Sequence, residues 1–180
     1  YTQTALVLST NCCAMYCRHC FRKRLVGVDD TETAKQFDSM MQYIAEHKEL
    51  NNVLVSGGDS LMMPNHMIRK YLETLTAMDH LDLIRFGTRI PVVFPDRVLE
   101  DPELQDIFRE FADKKQIYIV TQFNHPREIT AKAAEVIRIF RKMGFVVKNQ
   151  TVLLKGVNDD PAVLGELLQK LTRVGIVPYY

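Results

Sequence analysis

Six short runs rich in β-branched residues, each followed by a segment of helical periodicity, set the narrowest limit on how this 180-residue chain can fold. The runs are Thr4 to Ser9, Val53-Leu54-Val55, Leu83 to Phe86, Ile117 to Val120, Val146 to Leu153 and Ile176-Val177. None alternates cleanly between apolar and polar, which is the pattern of parallel strands buried on both faces. Between them, apolar residues recur three and four apart: Phe37, Met41 and Ile44; Met67, Tyr71, Leu75 and Met78; Leu104, Ile107, Phe108 and Phe111; Ala133, Val136, Ile137 and Phe140; Leu164, Leu167, Leu168 and Leu171. Strand–helix alternation along the whole chain predicts an α/β fold with a parallel sheet. Units of about 30 residues are of the usual βαβ size. Six of them predict a (β/α)6 partial TIM-type barrel; an open doubly wound sheet is the alternative that periodicity does not separate. In both, ligands gather beyond the C-terminal ends of the strands.

Local signals agree with these boundaries. Asp101-Pro102 and Asp160-Pro161 put a capping carboxylate before a proline at the first helical position, and Thr130 is a third N-cap. Gly144 and Gly175 stand where a left-handed helix end is expected. No linker or low-complexity stretch interrupts residues 1–180, which predicts one domain. The chain opens at Tyr1 and stops in the strand-like Val177-Pro178-Tyr179-Tyr180, so a fragment truncated at both ends is expected. Lys and Arg total 23 against 22 Asp and Glu, a balance that points away from nucleic-acid or membrane partners held by bulk charge. No apolar run approaches the roughly 20 residues of a membrane span.

All four cysteines lie between Cys12 and Cys20, too close together to staple distant segments as disulfides. Such clustering predicts a metal site in a reducing compartment, here the cytoplasm. Read from Cys13, the spacing through Cys17 and Cys20 is C-x3-C-x2-C; read from Cys12, the first gap is C-x4-C. Three thiolates hold three irons of a [4Fe–4S] cubane and leave the fourth open. A structural zinc site with His19 or Cys12 as fourth ligand is the competing reading. A small buried or half-buried thiol is the simplest role for Cys12 outside the metal site.

The segment Cys13-Ala14-Met15-Tyr16-Cys17-Arg18-His19-Cys20-Phe21-Arg22-Lys23-Arg24 resembles the cluster loop of the lysine 2,3-aminomutase family of radical S-adenosylmethionine (SAM) enzymes. The resemblance continues in order through Val55 to Asp59, Gly87 to Val93, Phe123 to Pro126, Asn149 to Leu154 and Gly156 to Asp159, and ends at Pro178-Tyr179-Tyr180. It implies that Cys13, Cys17 and Cys20 bind the cluster and that SAM occupies the open iron. Reductive cleavage of SAM would then give a 5′-deoxyadenosyl radical that removes a substrate hydrogen, and the amino group of an amino acid would move from C2 to C3. It also implies pyridoxal 5′-phosphate (PLP), an external electron donor and possible homo-oligomers.

The resemblance further implies roles for single residues. Ser56-Gly57-Gly58-Asp59 corresponds to the turn that binds the methionyl amino group of SAM; two glycines let backbone come close to a ligand. An ordinary tight βα turn is the plainer reading. Arg89, Gln150 on the fifth strand and His19 match positions near the cofactor, where a structural hydrogen bond is the plainer role for each. Arg22 matches the arginine that pairs with a substrate carboxylate, a contact suited to a guanidinium fork; Lys23 and Arg24 read as solvated charge. Asn124-His125-Pro126 and Asn158-Asp159-Asp160 read as turn and cap.

Two positions depart from the family pattern: Gln122 stands where a histidine is frequent, and Thr4 where an arginine helps bind the PLP phosphate. The Schiff-base lysine and the residues that recognise a substrate side chain are expected beyond Tyr180. Glutamate 2,3-aminomutase or a relative acting on protein-bound lysine is the alternative within the enzyme class. A non-catalytic zinc- or RNA-binding module using Arg18, Arg22, Lys23 and Arg24 is the alternative outside it.

Overall fold

The computed structural model describes residues 2–27 and 36–179. Six strands form one parallel sheet: β1 (Thr4–Thr10), β2 (Asn52–Gly57), β3 (Leu83–Gly87), β4 (Gln116–Thr121), β5 (Val146–Asn149) and β6 (Val177–Pro178). Their order in space is their order in the chain, and every neighbouring pair is parallel. A doubly wound sheet reverses direction at a switch point; this one never does, so the partial-barrel expectation holds.

The helices are α1 (Phe37–Glu46), α2 (Asn65–Thr76), α3 (Ile90–Val93), α4 (Asp96–Leu99), α5 (Pro102–Phe111), α6 (Ala131–Lys142) and α7 (Pro161–Val174). The sequence signals for α3 and α4 are too short to show periodicity. The predicted caps are in place. Asp101 accepts the amide of Leu104, Thr130 that of Ala133 and Asp160 that of Ala162. Gly144 and Gly175 both have φ of +83°.

Burial corrects the expectation of strands covered on both faces. Val53 and Val55, Ile84 and Phe86, and Ile117 and Ile119 are buried, whereas their neighbours Leu54, Arg85 and Tyr118 are only half-buried and Leu6 and Leu8 are exposed. Crossovers of one hand between adjacent strands carry all helices to one face. That face packs on Ile68, Tyr71, Leu72 and Leu75 of α2, Leu104 and Phe108 of α5, Val136, Ile137 and Phe140 of α6, and Leu167 and Leu171 of α7. Met67, Met78, Leu164 and Leu168 sit at its margin, half-buried. Phe108 is the aromatic centre, edge-on to Phe86 at 5.5 Å and to Phe145 at 5.6 Å.

A second correction concerns the fifth strand, expected to run to Leu153. It ends at Asn149, so Gln150 lies just past it. The Asn149 side chain accepts the Phe123 amide at 2.7 Å and donates to the Phe123 carbonyl at 3.0 Å, acting like a backbone rung between the loops. Beyond it, Asn124 and Asn158 bond the backbone of residues 152–154 in place of a neighbouring strand.

Candidate cofactor site

The site grows from the turn after β2. Gly57 has φ of +120°, and its amide lies so near β1 that a Cβ would stand 3.1 Å from the Thr10 nitrogen and closer still to the Thr10 carbonyl oxygen. At Gly58 a Cβ would meet the carbonyl group of Cys12, 2.8 Å from its carbon. The glycines therefore bring the turn against the backbone of the cysteine loop, a tighter constraint than approach to a ligand alone. The Gly58 amide donates to the Thr10 carbonyl at 2.6 Å and the Asp59 amide to the Cys12 carbonyl at 2.8 Å.

Asp59 is buried, and its carboxylate is engaged within the fold. It accepts the Leu61 amide (3.1 Å), the Thr88 hydroxyl (2.6 Å) and the Arg89 amide (2.6 Å), joining the turn after β2 to the one after β3. Burial pushes its carboxyl above the ordinary value, against these hydrogen bonds.

Arg22 reaches back from the cysteine loop, donating to the Ser56 hydroxyl at 3.0 Å and the Gly57 carbonyl at 3.3 Å. Burial lowers its pKa, and Cys20 acts the other way. His19 Nε2 lies 3.4 Å from Gln122 Oε1, so the glutamine at the departing position still meets the cysteine loop.

These residues surround one cavity of about 760 Å3 at the C-terminal end of the sheet. Cys13, Cys17, Cys20, His19, Arg22, Ser56, Gly57, Gly58, Asp59, Arg89 and Gln150 all line it, with apolar wall from Leu54, Val120 and Val152. Cys12 does not line it and is exposed rather than buried or half-buried; its backbone carbonyl accepts the Asp59 amide. Burial, then the Asp59 carboxylate and the neighbouring thiols, push the Cys13 thiol up to about 11. Such mutual repulsion is relieved by an electropositive group bound between the thiolates. Among the described residues, no three His, Cys, Asp or Glu side chains converge as ligands of a single ion would; the three thiols instead share the wall of a wider cavity.

Sequence reasoning missed two residues. Thr88 hydrogen-bonds the Asp59 carboxylate. Glu128 accepts the Arg89 guanidinium at 2.7 Å and the amides of Asn124 and His125 at 2.5 and 3.3 Å. The spacing His125-x-x-Glu128 is that of a capping box, and both of its reciprocal bonds are present. Nothing local in the sequence links Glu128 to Arg89.

The model of the radical SAM superfamily matches residues 7–168. The chain belongs to that superfamily. Membership implies a [4Fe–4S] cluster and SAM as cofactors, and the three cavity-lining thiols, with no fourth, fit that donor set. Among curated proteins, the chain is 42% identical over 182 residues to a putative L-lysine 2,3-aminomutase of Aquifex aeolicus, covering all of this chain and 49% of that protein. It is 36% identical over 181 residues both to the L-lysine 2,3-aminomutase of Clostridium subterminale and to the glutamate 2,3-aminomutase of Clostridioides difficile, in each case all of this chain and 42% of the relative. The chain thus spans about half the length, or less, of the curated relatives it matches. The cobalamin-dependent SAM radical enzyme OxsB shares the fold, with a TM-score of 0.61 at 16% identity over 93% of this chain and 26% of that one.

Proposed function

We propose that residues 1–180 are the cofactor-binding core of a longer radical SAM amino acid 2,3-aminomutase, and that Cys13, Cys17 and Cys20 hold its [4Fe–4S] cluster. The observation that carries this reading is the gathering of the three thiols with Ser56 to Asp59, Arg89 and Gln150 around one cavity. Relatives named as lysine and glutamate 2,3-aminomutases, similar along the full chain, support it.

When bound, the cluster and SAM supply reductive cleavage of a carbon–sulfur bond and, from it, a carbon radical able to remove a substrate hydrogen. The chain's own residues arrange that chemistry. The paired glycines lock the turn after β2 to the cysteine loop, so Cys13 and the SAM-facing backbone keep one relative position. Asp59 acts mainly through that backbone, since its carboxylate is spent on Thr88 and the amides of Leu61 and Arg89. Gln150 and His19 face the same cavity and bind the cofactor's polar groups. Arg22 keeps one nitrogen on Ser56 and Gly57 and offers its remaining donors to a substrate carboxylate. The apolar wall excludes water from a radical that would otherwise abstract indiscriminately.

PLP belongs to this proposal only through the relatives. Thr4 donates to Asn52 at 3.2 Å, away from the cavity, and brings no cation for a phosphate. Lysine is the favoured substrate, with glutamate second.

The test is the full-length protein, reconstituted anaerobically with iron and sulfide and given SAM, PLP and dithionite. Conversion of L-lysine to its β-isomer with release of 5′-deoxyadenosine is expected. Conversion of glutamate alone moves the assignment to the second substrate. Stoichiometric zinc in place of iron, with no SAM cleavage, overturns it in favour of a zinc module.

A further inference from the structure

Three tethers hold the cysteine loop to the barrel end, one near each of Cys13, Cys17 and Cys20. The Asp59 amide bonds the Cys12 carbonyl beside Cys13, and Arg22 holds the segment after Cys20 to Ser56 and Gly57 at the end of β2. The tether of Cys17 is the Arg89 side chain, which comes from 72 residues away and places Nη1 3.0 Å from Sγ. The one further hydrogen-bonding contact of that sulfur among the described residues is the Met15 carbonyl at 3.9 Å, within the loop itself.

The guanidinium is fixed before it reaches the sulfur. The Arg89 amide is bonded to Asp59, Nε donates to the Gln122 carbonyl at 3.2 Å, and Nη2 is paired with Glu128 at 2.7 Å. Both partners of the ion pair are largely shielded, with side-chain exposures of 16% and 23%. Glu128 is in turn held by two backbone amides. Three loops thus aim one N–H of a rigid fork at one thiol. A lysine at this position lacks the geometry to serve the carbonyl, the carboxylate and the sulfur together.

We propose that Arg89, clamped by Glu128, is a positioning residue that hydrogen-bonds the Cys17 thiolate of the bound cluster and raises the cluster's reduction potential. The inference rests on the reading that Cys13, Cys17 and Cys20 hold the cluster. Reduction adds negative charge that spreads onto the ligand sulfurs. An N–H donor and a positive charge at 3.0 Å from one of them favour the reduced state. Arg89 thereby eases delivery of the electron without touching the reacting atoms.

The test uses the reconstituted full-length protein, with Arg89→Gln, Arg89→Lys and, as an exposed control, Arg109→Gln. The readouts are iron and sulfide per chain, the midpoint potential from an EPR-monitored redox titration, and nitrogen couplings of the reduced cluster in protein labelled with [15N]arginine. Arg89→Gln is expected to lower the one-electron reduction equilibrium constant about tenfold, a 59 mV negative shift, and Arg89→Lys to restore part of it. The [15N] coupling of the wild type is expected to vanish in both and to persist in Arg109→Gln. A loaded Arg89→Gln cluster with unchanged potential overturns the inference while leaving the cluster assignment intact. Should Arg89→Gln fail to load, the wild type decides: a [15N] coupling lost in Arg89→Lys supports the proposal, and its absence from the wild type overturns it. Wild-type protein that takes up no iron and sulfide overturns the cluster assignment itself.

Discussion

Replacing Gly58 by alanine adds one methyl group where two loops touch. The new Cβ would stand 2.8 Å from the carbonyl carbon of Cys12 and 2.9 Å from that of Asn11, and closer still to the Cys12 oxygen, where ordinary contact begins at 3.4 Å. These are backbone atoms and cannot swing away as a side-chain tip can, so turn and loop must part by about 1 Å. Overpacking of this kind costs about 1–3 kcal/mol. The displaced bonds, Gly58 to Thr10 and Asp59 to Cys12, are worth about 1 kcal/mol each. With partial relaxation, about 2–4 kcal/mol of stability should go, a fall of roughly 5–15 °C in Tm for a chain of this size. Thermal unfolding of the iron-free protein by circular dichroism measures it, and iron uptake on reconstitution reports the displaced loop. Gly165→Ala is the matched control: it lies within α7 with nothing inside 4 Å of its added Cβ, and should raise stability by about 0.5–1 kcal/mol. A Gly58→Ala protein with native Tm and full iron content would refute the reasoning.

Three more outcomes follow from the same contacts. Cys13→Ala should lose the visible charge-transfer absorbance and iron of the reconstituted protein while Cys12→Ala keeps both; the reverse would move the first ligand to Cys12. Asn149→Ala should cost about 2–4 kcal/mol, since it strands the buried amide and carbonyl of Phe123, and urea titration should show the midpoint fall. Asp101 is held below the ordinary carboxylate range: burial opposes this, but the Leu104 amide, Asn65 and Arg97 outweigh it. A depressed folded-state pKa contributes stability above the unfolded value of about 3.9 and loses it as pH falls through the folded one. The Tm gap between wild type and Asp101→Asn should therefore be constant above about pH 5 and narrow below pH 4; a gap that widens in acid would contradict the assignment.

What could be read from the chain alone is what depends on near neighbours. An aspartate before a proline caps a helix wherever it occurs, so Asp101 and Asp160 marked α5 and α7 without any knowledge of packing. Apolar residues three and four apart must share a helix face, and Phe108 and Phe140 were placed in the core on that ground alone. The three-cysteine spacing lies within one loop, and its chemistry travels with it. Strand order, by contrast, is a long-range choice, and only the structure separates a singly wound sheet from a doubly wound one. It also covered one face of the strands where two were expected, because all crossovers carry their helices to the same side. The end of β5 at Asn149 depends on a side chain replacing a backbone rung, which no periodicity records. Asp59 turned inward to Thr88 and the Arg89 amide, and Arg89 to Glu128 and Cys17, because neighbouring parallel strands bring their C-terminal loops together whatever distance separates them in the chain. Residue types and spacing determined which groups this protein brings to its site; the register of the sheet decided which of them touch.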